Sequence, residues 1–156
     1  MAFNLRPIDE TFFTSAPQVF TEAFDIANPA PEVWSELTAD AALSFCRSLR
    51  GARWTSPRPF GVGTTRTMPA LYGLLVIDER YFRWEEGRRQ SFYVERANLP
   101  MFKSLAEDYL LEPTGPDTCR FTWTIAADPT VIGKLGSPLN KSIVEGIFRD
   151  TRRHFS

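Results

Sequence analysis

Histidine occurs once in the 156 residues, at His154, and cysteine twice, at Cys46 and Cys119. One imidazole and two widely separated thiols exclude a zinc cage built on Cys and His, and no cluster of carboxylates replaces it, so no metal is expected. Two thiols also fall short of a disulfide framework, which fits a reducing compartment. A histidine-dependent serine or cysteine hydrolase is disfavoured on the same ground, because His154 lies near the C-terminus and no nucleophile motif matches it. Excess charge is missing as well. Eighteen basic residues meet nineteen acidic ones for a formal charge of -1, with no block of like sign. The pairs Arg88-Arg89 and Arg152-Arg153 are too short to make the basic stripe that nucleic acid requires. No apolar run approaches a membrane span, and the first twenty residues lack the basic start and apolar core of a secretory signal, so a cytoplasmic location is expected. The glycines of GVGTT (61–65) lack both the GxGxxG spacing and a following helix, so no phosphate cradle and no cofactor is expected.

What remains is a chain of one-domain length, 43% hydrophobic, with 13 phenylalanines. From Val19 to Ile26 apolar and polar residues alternate loosely, as in a half-buried strand. Asn28 and the prolines at 29 and 31 end it, and PEVWSEL places Val33, Trp34 and Leu37 at helical spacing. Asp40 can cap a second short helix in which Ala42, Phe45, Cys46 and Leu49 form one stripe. Beyond Gly51 and SPRPFGVG the chain reads as strands: Val62 to Pro69, Leu74 to Glu85, Arg89 to Ala97, Leu105 to Glu112 and Cys119 to Ala126, with a short one at Arg53 to Thr55. Turns at EEGRR and PTGPD make the neighbours antiparallel hairpins.

Parity assigns faces. Cys119, Phe121, Trp123 and Ile125 share one side of the last strand, and Gln90, Phe92 and Val94 oppose Ser91, Tyr93 and Glu95. Tyr81, Phe82 and Trp84 cannot share a face without a bulge, which leaves the orientation of Asp78 to Glu85 open. After Pro129, Ile132, Leu135, Leu139, Ile143, Gly146 and Ile147 line one helical face, with a break where Ser137 reads as the N-cap before Pro138 and a helix of about 17 residues, Pro138 to His154, about 25 Å long. The order strand, two short helices, strand meander, long amphipathic helix is an α+β plan.

The segments ANPAPEVWSELTAD, PFGVGTTRTM, LLVIDERYFRWEEGRRQSFYV, EDYLLEP and CRFTWTIAADP, followed by the closing helix, resemble in order and spacing the polyketide cyclase/dehydrase and lipid-transport family. That family belongs to the START-like superfamily (SRPBCC), whose helix-grip fold wraps a curved antiparallel sheet around a long C-terminal helix. The resemblance runs from about Val19 to Phe155. It implies an N-terminal extension over residues 1–18, similar to that of some bacterial members, and a ligand-binding domain over 19–156. It further implies a hydrophobic cavity between sheet and helix. The residues whose parity or stripe supports a place in that cavity are Met68, Phe92, Tyr109, Phe121, Trp123, Leu139 and Ile143, and each is equally readable as packed core.

Arg66 falls on the face of Val62, Thr64 and Met68, and an inward guanidinium needs a partner. In cyclases of the family an inward arginine with tyrosines polarises a carbonyl, which makes Arg66 the candidate catalytic residue. The competing reading is an ion pair with an acidic neighbour such as Asp78 or Glu107, or an outward arginine on a bulged strand. Tyr72, Tyr81, Tyr93 and Tyr109 are the tyrosines able to donate to a ligand, and His154 sits where the helix C-terminal dipole favours it. Three functions follow: a binding protein for an apolar or aromatic small molecule such as a lipid or polyketide, an aromatase/cyclase acting on one, or a protein-interaction module with a collapsed cavity. The first is preferred. The expected partner is a hydrophobic small molecule, and a homodimer is left open.

Overall fold

Alternating apolar residues and tight turns build most of this chain into one sheet. The computed structural model describes residues 2–156. In chain order it runs β1 (Phe3–Asn4), α1 (Phe12–Ser15), β2 (Gln18–Ile26), α2 (Ala30–Leu37), β3 (Arg53–Trp54), β4 (Thr65–Ala70), β5 (Leu75–Glu85), β6 (Arg89–Ala97), β7 (Phe102–Gly115), β8 (Thr118–Pro129), α3 (Val131–Leu135) and α4 (Ser137–His154). The sheet order is β2-β8-β7-β6-β5-β4-β3, with β1 pairing to β6 off this path. Every pairing is antiparallel. The curved sheet and the long last helix make the α+β helix-grip fold that the sequence suggests.

The parity of β8 holds, since Cys119, Phe121, Trp123 and Ile125 are all buried. In β5 the register shifts between Tyr81 and Arg83, so that Tyr81 pairs with Phe92 and Arg83 with Ser91. This bulge settles the orientation of the strand: Tyr81 and Trp84 meet edge to face, while Phe82 stacks on Phe13.

Three local expectations are corrected. No regular helix follows Asp40; residues 40–48 form consecutive turns, with Ala41 and Leu43 at positive φ. Ala42, Cys46 and Leu49 are nonetheless buried, because turns at Ser44, Cys46 and Leu49 bring them inward much as a helix would. The strand expected from Val62 starts at Thr65, and Val62 is exposed on the glycine turn before it. Ser137 lies inside the first turn of α4 with Gly136 at the cap, and its hydroxyl instead accepts from Gln18 Nε2 at 3.3 Å.

The residues before β2 are built into the sheet. β6 pairs with β7 only from Arg89 to Tyr93, after which the strands separate. Phe3 and Asn4 pair with Ala97 and Arg96 in the opening. The Leu5 N–H then donates to the Glu95 carbonyl, and the Arg6 N–H to that of Lys103. This places the Leu5 side chain in the main hydrophobic cluster. Leu5→Ala is therefore expected to lower stability by about 3 kcal/mol, measured by urea denaturation; a loss below about 0.5 kcal/mol, the scale of a surface change, would show that the segment merely rests on the sheet.

Candidate functional site

The α4 helix faces the sheet across a partly open pocket of about 100 Å³. Met68, Ile77, Leu105, Tyr109, Trp123 and Ile125 line it from the sheet, and Asn140, Ile143, Val144 and Ile147 from the helix. Leu71, in the turn between β4 and β5, and Gln18 and Phe20 on β2 complete the wall. Asn140 also ties the break between α3 and α4 together, since its amide donates to the Gly133 carbonyl at 3.3 Å.

At the sheet side the lining becomes polar. Antiparallel pairing sets Arg66 on β4 opposite Glu79 on β5, and the guanidinium Nε donates directly to the Glu79 carboxylate. Both side chains are fully enclosed, 0% and 1% exposed. Arg66 Nη2 also donates to the Tyr109 hydroxyl at 3.4 Å, and the guanidinium carbon lies 4.6 Å from the Phe92 ring centroid and 5.5 Å from that of Tyr81. Burial is the largest single influence and opposes charge on Arg66, but Glu79, together with Tyr81 and Tyr109, outweighs it and holds the guanidinium protonated well above its ordinary range. Burial lifts the Glu79 carboxyl, and contact with Arg66 pulls it back. Of the partners read from the sequence for Arg66, Asp78 instead bonds Thr67 and Arg96, and Glu107 bonds Trp123.

Glu107 is the second carboxyl here. It sits on β7 two residues before Tyr109, and the Trp123 Nε1–H donates to its Oε1 at 2.7 Å. Among the described residues no cation pairs with it. Burial, reinforced by the charge on Glu79, pushes its carboxyl up to about 8. The side chain is surrounded by protein yet keeps some accessible surface, because that surface belongs to the cavity.

Of the residues expected in the cavity, the structure brings Arg66, Met68, Tyr109, Trp123 and Ile143 to its wall. Phe92 and Phe121 stand behind that wall, each in edge-to-face contact with Tyr109. Leu139 is 60% exposed. The helix restarts after Gly136, and the inward face runs through Asn140, Ile143, Val144 and Ile147, which turns Leu139 about 100° away. Glu79 and Glu107 belong to the site although periodicity did not single them out. Tyr81 is buried outside the lining, while Tyr72 is exposed. Burial pushes the Cys46 thiol up to about 12, leaving it unreactive. His154 bonds Glu36 at 2.7 Å and stacks on Phe45, away from the cavity. Among the described residues no group of His, Cys, Asp and Glu could hold a metal ion, and no helix is long and apolar enough to cross a membrane.

A carboxyl whose pKa is raised on folding stabilises the protein fully below its unfolded value and loses that contribution as pH rises to the folded one. For Glu107 the window runs from the ordinary 4.5 to about 8. Glu107→Gln, which cannot ionise, should therefore gain on the parent protein as pH rises from 5 to 8, by on the order of 3 kcal/mol at pH 7. Urea denaturation across that range checks it, and a pH-independent difference would refute the assignment.

Known proteins share this architecture. A family model described as polyketide cyclase / dehydrase and lipid transport matches residues 17–155. An uncharacterized protein of Mycobacterium tuberculosis is 36% identical over 118 residues, which are 74% of this chain and 69% of that protein. Among solved structures, a START superfamily protein from Mycobacterium smegmatis superposes with a TM-score of 0.67 at 14% identity, covering 88% of this chain and 96% of the other. The ZhuI aromatase/cyclase of a Streptomyces species gives 0.69 at 12% identity, covering 87% and 89%. With the family model matching nearly the whole grip of sheet and helix, the chain belongs to the polyketide cyclase/dehydrase and lipid-transport family.

Proposed function

We propose that this protein binds an apolar or aromatic small molecule in the cavity between the sheet and α4. The observation that carries this reading is the pocket itself, an aliphatic and aromatic wall flanked by an amphipathic helix and ending in a buried polar group. At about 100 Å³, the space as it stands is smaller than the engineered apolar cavity of about 150 Å³ that takes up benzene, so even a one-ring guest requires the pocket to open slightly. A longer lipid or polyketide requires α4 to move outward, and the Gly136 break with Ser137-Pro138 after it supplies a place to bend.

Carriage fits the geometry better than catalysis by Arg66. A guanidinium that is to polarise a substrate carbonyl must reach it, whereas Arg66 is bound to Glu79 and has no exposed side-chain surface. The similarity to an aromatase/cyclase supports the fold and carries no reaction over. The collapsed-cavity reading is favoured by a single feature, the exposed apolar residues Val131, Ile132, Leu135 and Leu139 at the helix break.

Native mass spectrometry after incubation with lipid and aromatic extracts tests the proposal. The expected result is a retained ligand of defined mass, lost in Ile143→Trp, whose larger ring occupies the space while circular dichroism stays native. If the parent protein retains nothing, the small-molecule reading fails.

A further inference from the structure

The cavity presents a guest with one accessible ionisable group, and that group is Glu107. Arg66 and Glu79 are paired with each other and expose no surface, and Arg66 Nη1, which has no hydrogen-bond partner, is closed off with them. Tyr109 and Trp123 are likewise closed, at 0% and 1% exposure. Glu107 differs in both respects: its Oε1 accepts from Trp123, while its Oε2 makes no hydrogen bond among the described residues.

The surroundings hold this carboxyl neutral. From β4 it faces Arg66, already paired, and from β5 Glu79, whose charge repels a second anion. Tyr109 on its own strand and Tyr81 on β5 are held protonated by burial, as is Cys46 in the turns after α2. The helix across the cavity contributes Asn140, Ile143, Val144 and Ile147, and β2 contributes Gln18, none of them charged. A carboxyl without a counter-ion in an apolar enclosure is carried as the acid.

We propose that Glu107 is the specificity group of this cavity: as a neutral acid it donates its O–H to an acceptor oxygen of an uncharged ligand, such as a ketone, aldehyde or alcohol, and it disfavours ligands ending in carboxylate or ammonium. A carboxylate would meet two acidic side chains and one guanidinium that is paired with Glu79 and exposes no surface. An ammonium would be stripped of water beside Arg66 and would have to ionise Glu107 to find a partner. The inference rests on the cavity being a binding site.

Three probes of nearly equal shape separate these outcomes: acetophenone, ethylbenzene and 1-phenylethylamine, titrated calorimetrically from pH 6 to pH 9.5. At pH 7 acetophenone should bind about tenfold more tightly than ethylbenzene, the value of one net hydrogen bond. Because the carboxyl titrates near about 8, acetophenone affinity should fall about tenfold between pH 7 and pH 9 while ethylbenzene holds constant. Glu107→Leu should bind ketone and hydrocarbon alike, and Glu107→Gln, still a donor, should prefer the ketone without the pH dependence. Equal binding of ketone and hydrocarbon by the parent protein, or tighter binding of the amine than of the ketone at pH 7, overturns the role of Glu107 and leaves the cavity standing. No binding of any probe overturns both.

Discussion

The buried contact between Arg66 and Glu79 constrains everything around it. Two charges removed from water hold together only if each finds the other, and an uncompensated one costs several kcal/mol. That requirement pins β4 to β5 in a single register, with Arg66 opposite Glu79. A slip by one residue would turn Arg66 outward and Thr65 or Thr67 inward. The aromatic rings of Trp54, Tyr81 and Phe92 pack within 5.5 Å of the guanidinium, so the pair also organises the sheet side of the core.

From this pair the polarity of the cavity follows. Because Glu79 neutralises Arg66, the guanidinium is not available to Glu107, and the second carboxyl remains without a counter-ion. Its elevated pKa is thus a consequence of how the neighbouring charge is already committed, added to burial. The bond from Trp123 fixes which oxygen of Glu107 is free. A cavity otherwise lined by carbon acquires one directional group in this way, which suffices to orient an apolar guest.

Much of this was legible in the sequence. The alternation in β8 and the stripe through Ile143 and Ile147 placed the sheet and helix faces that meet, and the parity of β4 turned Arg66 inward. The bulge in β5 hid the rest. With Tyr81, Phe82 and Trp84 in conflict, the inward side of that strand could not be assigned, and Glu79 with it. The phase of α4 also shifted at Gly136, which carried Leu139 outward. Glu107 could be named from the sequence only as a possible acidic partner of Arg66, and whether that arginine was free depended on Glu79. The size of the pocket follows from side-chain packing in three dimensions, for which no periodicity stands proxy.

The insertion of the first residues between β6 and β7 bears on how the molecule assembles. Phe3 pairs with Ala97, and β2 finds its partner in β8, about a hundred residues further along the chain. Both N-terminal strands must wait for late partners while the hairpins from β4 to β8 form locally. Loop-closure entropy is therefore lost before the sheet gains its last pairings, the condition for slow folding with open strand edges. Residues 3–6 have no place in the sheet until the chain has been made as far as Lys103.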